Sequence, residues 1–219
     1  MTVVTRARQT VLFCRRDSIY KVLADDVFDV GRDARCYTGP DAVIAHPPCR
    51  GWGRLSKNSV ATDEEKALGI FAAQIVRKNG GVLEHPWASK LWKAAGLPRP
   101  CDGVDEFGGY TLLVEQGWWG HKAPKPTWLY ICGIDRRDVP PIPVKRFRAA
   151  GRTLKLPLHE REGTPEEFAK WLLLLAAGCY TQRPRSAVTC IEGFIEEQLV
   201  TRGQARRSSY LDLAEMTIG

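Results

Sequence analysis

The stretch from Ala42 to Glu84 reads as one strand–helix–strand unit, and such a unit restricts the chain to a fold built on a parallel sheet. Ala42-Val43-Ile44-Ala45 is a continuous apolar run of the kind found in strands covered on both faces. Thr62-x-x-Glu65 forms a capping box, and Asp63, Glu64 and Glu65 set negative charge at the positive end of a helix dipole. Leu68, Phe71, Ala72, Ile75 and Val76 recur on one face of that helix, and Gly80-Gly81 ends it. Val82-Leu83-Glu84 follows at once as a short strand, which His85-Pro86 is expected to stop because proline cannot donate to a ladder. The crossover makes these two strands parallel neighbours or near neighbours.

Thr10 to Cys14 and Val27 to Val30 read as further strands, and Asp41 to His46 bounds the third. Ser18 to Leu23 has room for one or two helical turns, too few for a full crossover helix. Tyr110 to Glu115 and Thr127 to Cys132 are strands separated by a Gly- and Pro-rich loop from Gly117 to Pro126, so an antiparallel pair and a crossover are both open. Thr164-Pro165-Glu166-Glu167 opens a second capped helix that turns Phe168, Trp171, Leu172, Leu175 and Ala176 to the core and stops at Gly178. Residues 1–180 thus form an α/β domain, and 181–219, with Arg183, Arg185, Arg202, Arg206 and Arg207, a basic helical tail.

Lys and Arg outnumber Asp and Glu by 32 to 25, a net charge of +7 that favours DNA or nucleotides as partners. The seven cysteines are scattered and never form C-x-x-C, which argues against a disulfide framework. Cys36, His46, Cys49 and His85 lack the clustered spacing of a zinc site, so no metal is expected. No run of 18 apolar residues occurs, and the expectation is a cytoplasmic chain with no membrane partner.

In parallel α/β sheets ligands collect outside the carboxyl ends of strands, where both His46-Pro47-Pro48-Cys49 and Glu84-His85-Pro86 fall. A thiol there is a nucleophile once ionised, and His46, Arg50 or Arg54 is expected to lower its pKa. A buried carboxyl group beside it is expected to have a raised pKa and to donate a proton. Trp52, Trp87, Trp92, Trp118 and Trp119 are candidates for stacking on bases, with Lys122 and Lys125 on phosphates.

The run from Asp41 through Pro47-Pro48-Cys49-Arg50-Gly51-Trp52, with Ser56 following, resembles the Pro-Cys motif of cytosine-5 DNA methyltransferases. Val82-Leu83-Glu84-His85-Pro86 is similar to that family's Leu-Glu-Asn motif, and Phe107-Gly108-Gly109 with the Trp128-Leu129 strand looks most like its short, phage-type relatives. The resemblance covers about residues 10–178 and implies a three-layer α/β sandwich with a mainly parallel sheet, a reduced methyltransferase or Rossmann-like architecture. It implies that Cys49 adds to C6 of a cytosine and that Glu84 contacts and protonates N3. His46, Pro48, Arg50, Ser56 and His85 flank those two groups as expected substrate contacts. Lys122, Lys125 and Thr127 stand where the family places an Arg and Gln motif, without matching it.

The family's methyl donor is S-adenosylmethionine, held on a Gly-rich turn after the first strand; here Phe13-Cys14 is followed by Arg15-Arg16-Asp17-Ser18, with no glycine. Asp29, after the second strand, is the expected ribose contact. Only about thirty residues separate the Trp128 strand from the Thr164 helix, too few for a DNA-reading domain, so a protein partner for target recognition is an expectation too. Four readings stay open: cytosine C5 methylation, C5 modification with another donor, a catalytically inactive nucleic-acid- or nucleotide-binding module, and a zinc-dependent deaminase-like hydrolase, which would require bound metal.

Overall fold

The computed structural model describes residues 8–53, 56, 60–146 and 156–182. It is an α/β protein whose six-stranded, mostly parallel mixed sheet packs against helices. The strands are β1 (Thr10–Cys14), β2 (Asp26–Asp29), β3 (Val43–Ala45), β4 (Gly81–Pro86), β5 (Tyr110–Glu115) and β6 (Pro126–Cys132). The helices are α1 (Tyr20–Leu23), α2 (Asp63–Asn79), α3 (Leu91–Ala94), α4 (Leu158–Glu162) and α5 (Glu166–Gln182).

Across the sheet the order is β2-β1-β3-β4-β6-β5. The first four strands in that order pair in parallel, and β6 runs antiparallel to both β4 and β5. The β5–β6 connection is therefore antiparallel, and the carboxyl end of β5 lies at the same edge as those of β1, β3 and β4.

Period-two alternation divides the apolar side chains between two cores. Val11, Ile44, Val82, Leu129 and Ile131 pack with Tyr20 of α1 and with Phe168, Trp171, Leu172, Leu175 and Ala176 of α5, the five α5 residues expected to face inward. Leu12, Val43, Ala45, Leu83 and Tyr130 pack with Ala72, Ile75 and Val76 of α2 and with Leu91 and Trp92 of α3. Leu68 and Phe71 lie at the rim, half-buried.

Thr62 caps α2, its side chain accepting from the Glu65 N–H, and Gly80 closes the helix with positive φ. Gly81 has φ +119°, and an added Cβ would fall 2.0 Å from the Val43 carbonyl oxygen, so only glycine allows β4 this close to β3.

Several expected bounds differ. β4 does not stop at Glu84 but continues through His85 and Pro86, which pair with Trp128 and Thr127 of β6. Proline is tolerated there because it is the last residue of the strand, where a missing N–H costs little. β3 is confined to Val43–Ala45, and β2 ends at Asp29, one residue short of expectation. α5 runs on through Gly178 to Gln182, because Gly178 fits where a Cβ would meet Ile134 at 2.8 Å. The tail beyond Gln182 lies outside the described residues.

Candidate active site

Register brings the two motifs together. β3 and β4 pair Ile44 with Val82, and both side chains enter the α1/α5 core. Two residues further on, His46 and Glu84 share that face, and His46 Nδ1 lies 2.9 Å from Glu84 Oε2. Cys49 follows in a tight turn whose carbonyl accepts from Trp52 N–H (3.0 Å) and Gly53 N–H (2.8 Å).

β6 supplies the other wall. Leu129 stands opposite Glu84, so Thr127, two residues back on β6, shares its face. Gln116, directly after β5 and fully buried, donates through Nε2 to Glu84 Oε1 (3.0 Å) and to Thr127 Oγ1 (2.9 Å). The Lys125 ammonium donates to the Gly163 carbonyl (2.9 Å) at the end of α4 and couples electrostatically to both Glu84 and Cys49. The Tyr20 ring packs 5.1 Å from that of His46, tilted by 39°.

The electrostatics overturn two expectations. Burial alone would raise the Glu84 pKa, but the His46 hydrogen bond and charge, with Lys125 and His85, bring it down to about 2. At neutral pH Glu84 is a carboxylate, not the proton donor expected of a buried carboxyl. Cys49 is reachable from solvent, yet crowding by protein raises its pKa, and the charges of Glu84 and Glu162 add to the rise. The group that opposes this is Lys125, not Arg50. Arg50 turns away to make a two-pronged pair with Glu65 of α2, and Arg54 lies outside the described residues. Burial lowers Lys125 in turn, against the pull of Glu84 and Cys49.

The remaining expected contacts scatter. Pro48 is half-buried before the turn, its carbonyl close to His85. His85 faces the opposite core beside Trp92, and burial lowers its pKa to about 4, so it is neutral. Ser56 Oγ accepts from Lys90 Nζ (2.7 Å), and Lys122 pairs at the surface with Glu160 (3.0 Å). Trp92 is buried in one core, and Trp119 is buried in the other with only its edge reaching a surface groove. Half-buried Trp118 lines a surface groove of about 470 Å³ with Pro141, Pro143, Lys145 and Leu174.

The carboxyl ends of β1 and β2 lack a donor cradle. Phe13, in the left-handed region at φ +62°, stands at a bulge in β1 and packs against Phe71. Arg15 is clamped between Asp17 and Glu162. Both Asp29 oxygens are engaged, Oδ2 by Lys21 Nζ (2.5 Å) and Oδ1 by Gly31 N–H (2.9 Å). These residues do not fit S-adenosylmethionine, since neither a glycine turn nor an open ribose carboxylate is present. Among the described residues no three His, Cys, Asp or Glu side chains cluster as metal ligands.

Reading from motifs missed Gln116 and Tyr20. A polar residue placed directly after an apolar strand at the same sheet edge was the available signal for Gln116. Comparison with family models, with curated proteins and with solved structures finds no match in any of the three.

Proposed function

We propose that the protein activates C5 of a cytosine, in DNA or a nucleotide, by adding the Cys49 sulfur to C6, in the manner of cytosine-5 methyltransferases. The observation that carries this reading is that Cys49, in the turn after β3, and Glu84, near the end of β4, stand at one sheet edge, close enough for Glu84 and Lys125 to shift the thiol, with Glu84 held on either side by His46 and Gln116. The finer fold, a three-layer sandwich of reduced methyltransferase type, is supported by a core on each face of the sheet and by both motifs standing at strand ends.

The charge states suggest the order of events. Cys49 starts protonated and Glu84 ionised, so the thiol proton passes to the Glu84 carboxylate as the sulfur–C6 bond forms. The C5=C6 pair shifts to C4=C5, the C4=N3 pair moves onto N3, and Glu84 delivers its proton there. No net charge is gained or lost at the site. Lys125 steadies the thiolate as it develops. C5 is then nucleophilic and takes an electrophile, the simplest being a proton from water. No step is assigned to S-adenosylmethionine.

Addition is testable without any donor. In heavy water, reversible addition exchanges the C5 hydrogen of cytosine for deuterium, which mass spectrometry reads directly. The expected result is exchange by the native protein, its loss in Cys49→Ala, and a fall of roughly 10²–10⁴-fold in Glu84→Gln. An absence of exchange, together with no Cys49 adduct on an oligonucleotide carrying 2-pyrimidinone, overturns the proposal. A second reading, a module that binds pyrimidines without turnover, is favoured by the raised Cys49 pKa; binding without exchange or adduct would select it.

A further inference from the structure

Among the described residues seven buried side-chain polar atoms have no hydrogen-bond partner. Three of them, Tyr20 Oη, His46 Nε2 and Gln116 Oε1, belong to the groups that bond Glu84 or pack against its partner. Folded proteins pair nearly all such atoms, and an unpaired one costs about as much as a lost hydrogen bond. Three on the side chains that surround one carboxylate and its partner mark the place of a polar group that the described residues do not supply.

Gln116 defines what that group must be. The orientation of its amide is fixed by its neighbours. Glu84 is ionised and can only accept, and Thr127 Oγ1 gives its single proton to the Lys125 carbonyl (3.0 Å), so both need a donor from Gln116. The amide nitrogen therefore faces them, and Oε1 is left as a fixed, fully buried acceptor with nothing to accept from. Amide geometry and the 3.0 Å bond hold Gln116 Oε1 within about 5.5 Å of Glu84 Oε1. Two acceptors that share one –NH2 group stand about 5 Å apart, so this pair suits an exocyclic amine.

We propose that Gln116 Oε1, together with Glu84, reads the exocyclic amine of the base, so that the site selects an amino pyrimidine over an oxo pyrimidine. The inference rests on the proposed function and adds to it the residue that sets specificity. Uracil or thymine would turn a carbonyl oxygen toward two acceptors, leaving that carbonyl and Gln116 Oε1 without a donor. That mismatch amounts to a preference for cytosine of roughly ten- to hundredfold.

The test compares two single-stranded oligonucleotides, identical except that one carries a single cytosine and the other uracil in its place, by fluorescence anisotropy. The native protein is expected to bind the cytosine strand at least tenfold tighter, and Gln116→Ala to bring the ratio close to one. Thr127→Val removes one of the two acceptors that orient the amide, leaving Glu84 alone to hold it, and lowers the ratio in the same direction by a smaller factor. It carries the test should Gln116→Ala fail to fold. Equal binding of the two strands by the native protein overturns the inference. So does an equal loss for both strands in Gln116→Ala, which would leave Gln116 only a positioning residue for Glu84. Binding of neither strand above an all-adenine control removes the proposed function, and this inference with it.

Discussion

His46 Nδ1 lies 2.9 Å from Glu84 Oε2, a bond that joins the carboxyl ends of two parallel strands and keeps a buried carboxylate ionised. The pair ties the stability of the fold to the charge of the candidate site.

One outcome is acid sensitivity. The Glu84 pKa falls from 4.5 to about 2 on folding, so its contribution is complete above about 4.5 and is lost as pH drops toward 2. The loss is on the order of 3 kcal/mol. Urea unfolding across that window should show a steep fall for the native protein and a flatter one for Glu84→Gln; equal slopes would contradict the assignment.

His85 acts over a different window. Its pKa falls from 6.5 to about 4 because the buried ring resists charging, so protons favour the unfolded chain as pH drops from about 6.5 to about 4. Neither ring nitrogen makes a well-formed hydrogen bond. His85→Leu should therefore flatten stability between those pH values and leave the protein as stable or more so at neutral pH.

The reactivity of Cys49 should move in opposite directions with its two neighbours. Glu84 raises the thiol pKa and Lys125 lowers it. Alkylation of the Cys49 peptide by iodoacetamide at pH 8, followed by mass spectrometry, should speed up severalfold in Glu84→Gln and slow in Lys125→Met. The same sign in both variants would show that burial alone governs the thiol.

Gly81→Ala should damage the sheet. A methyl group there collides with the Val43 backbone, and φ is +119°. A loss of roughly 3 kcal/mol or more is expected, or failure to fold, measured by thermal unfolding. Gly96→Ala, also at positive φ but with open space around it, should cost much less.

Local patterning made much of the fold legible. β1 and β5 have the bounds that their apolar runs mark, Thr62 caps α2, and the inward face of α5 follows from its period. The His46–Glu84 adjacency follows in principle from a strand–helix–strand unit, once register is known. Charge was not legible. The pKa of Glu84 depends on Lys125 as well as on His46, and that of Cys49 on Lys125 and Glu162; Lys125 and Glu162 are placed by β6 and α4, far along the chain. Gln116 escaped notice because its role exists only when β6 reverses and sets Thr127 beside Glu84.

Helix α4 is fastened near Cys49 largely by charge: Glu162 to Arg15 (2.7 Å), Glu160 to Lys122 (3.0 Å), and its terminal carbonyls to Lys125. Such exposed pairs weaken as salt rises. Added salt should thus loosen this clasp and speed passage to Cys49 while it weakens the attraction of a basic protein for polyanions. Turnover on a nucleic acid would then pass through a maximum at intermediate ionic strength, whereas labelling by a small neutral reagent would simply rise.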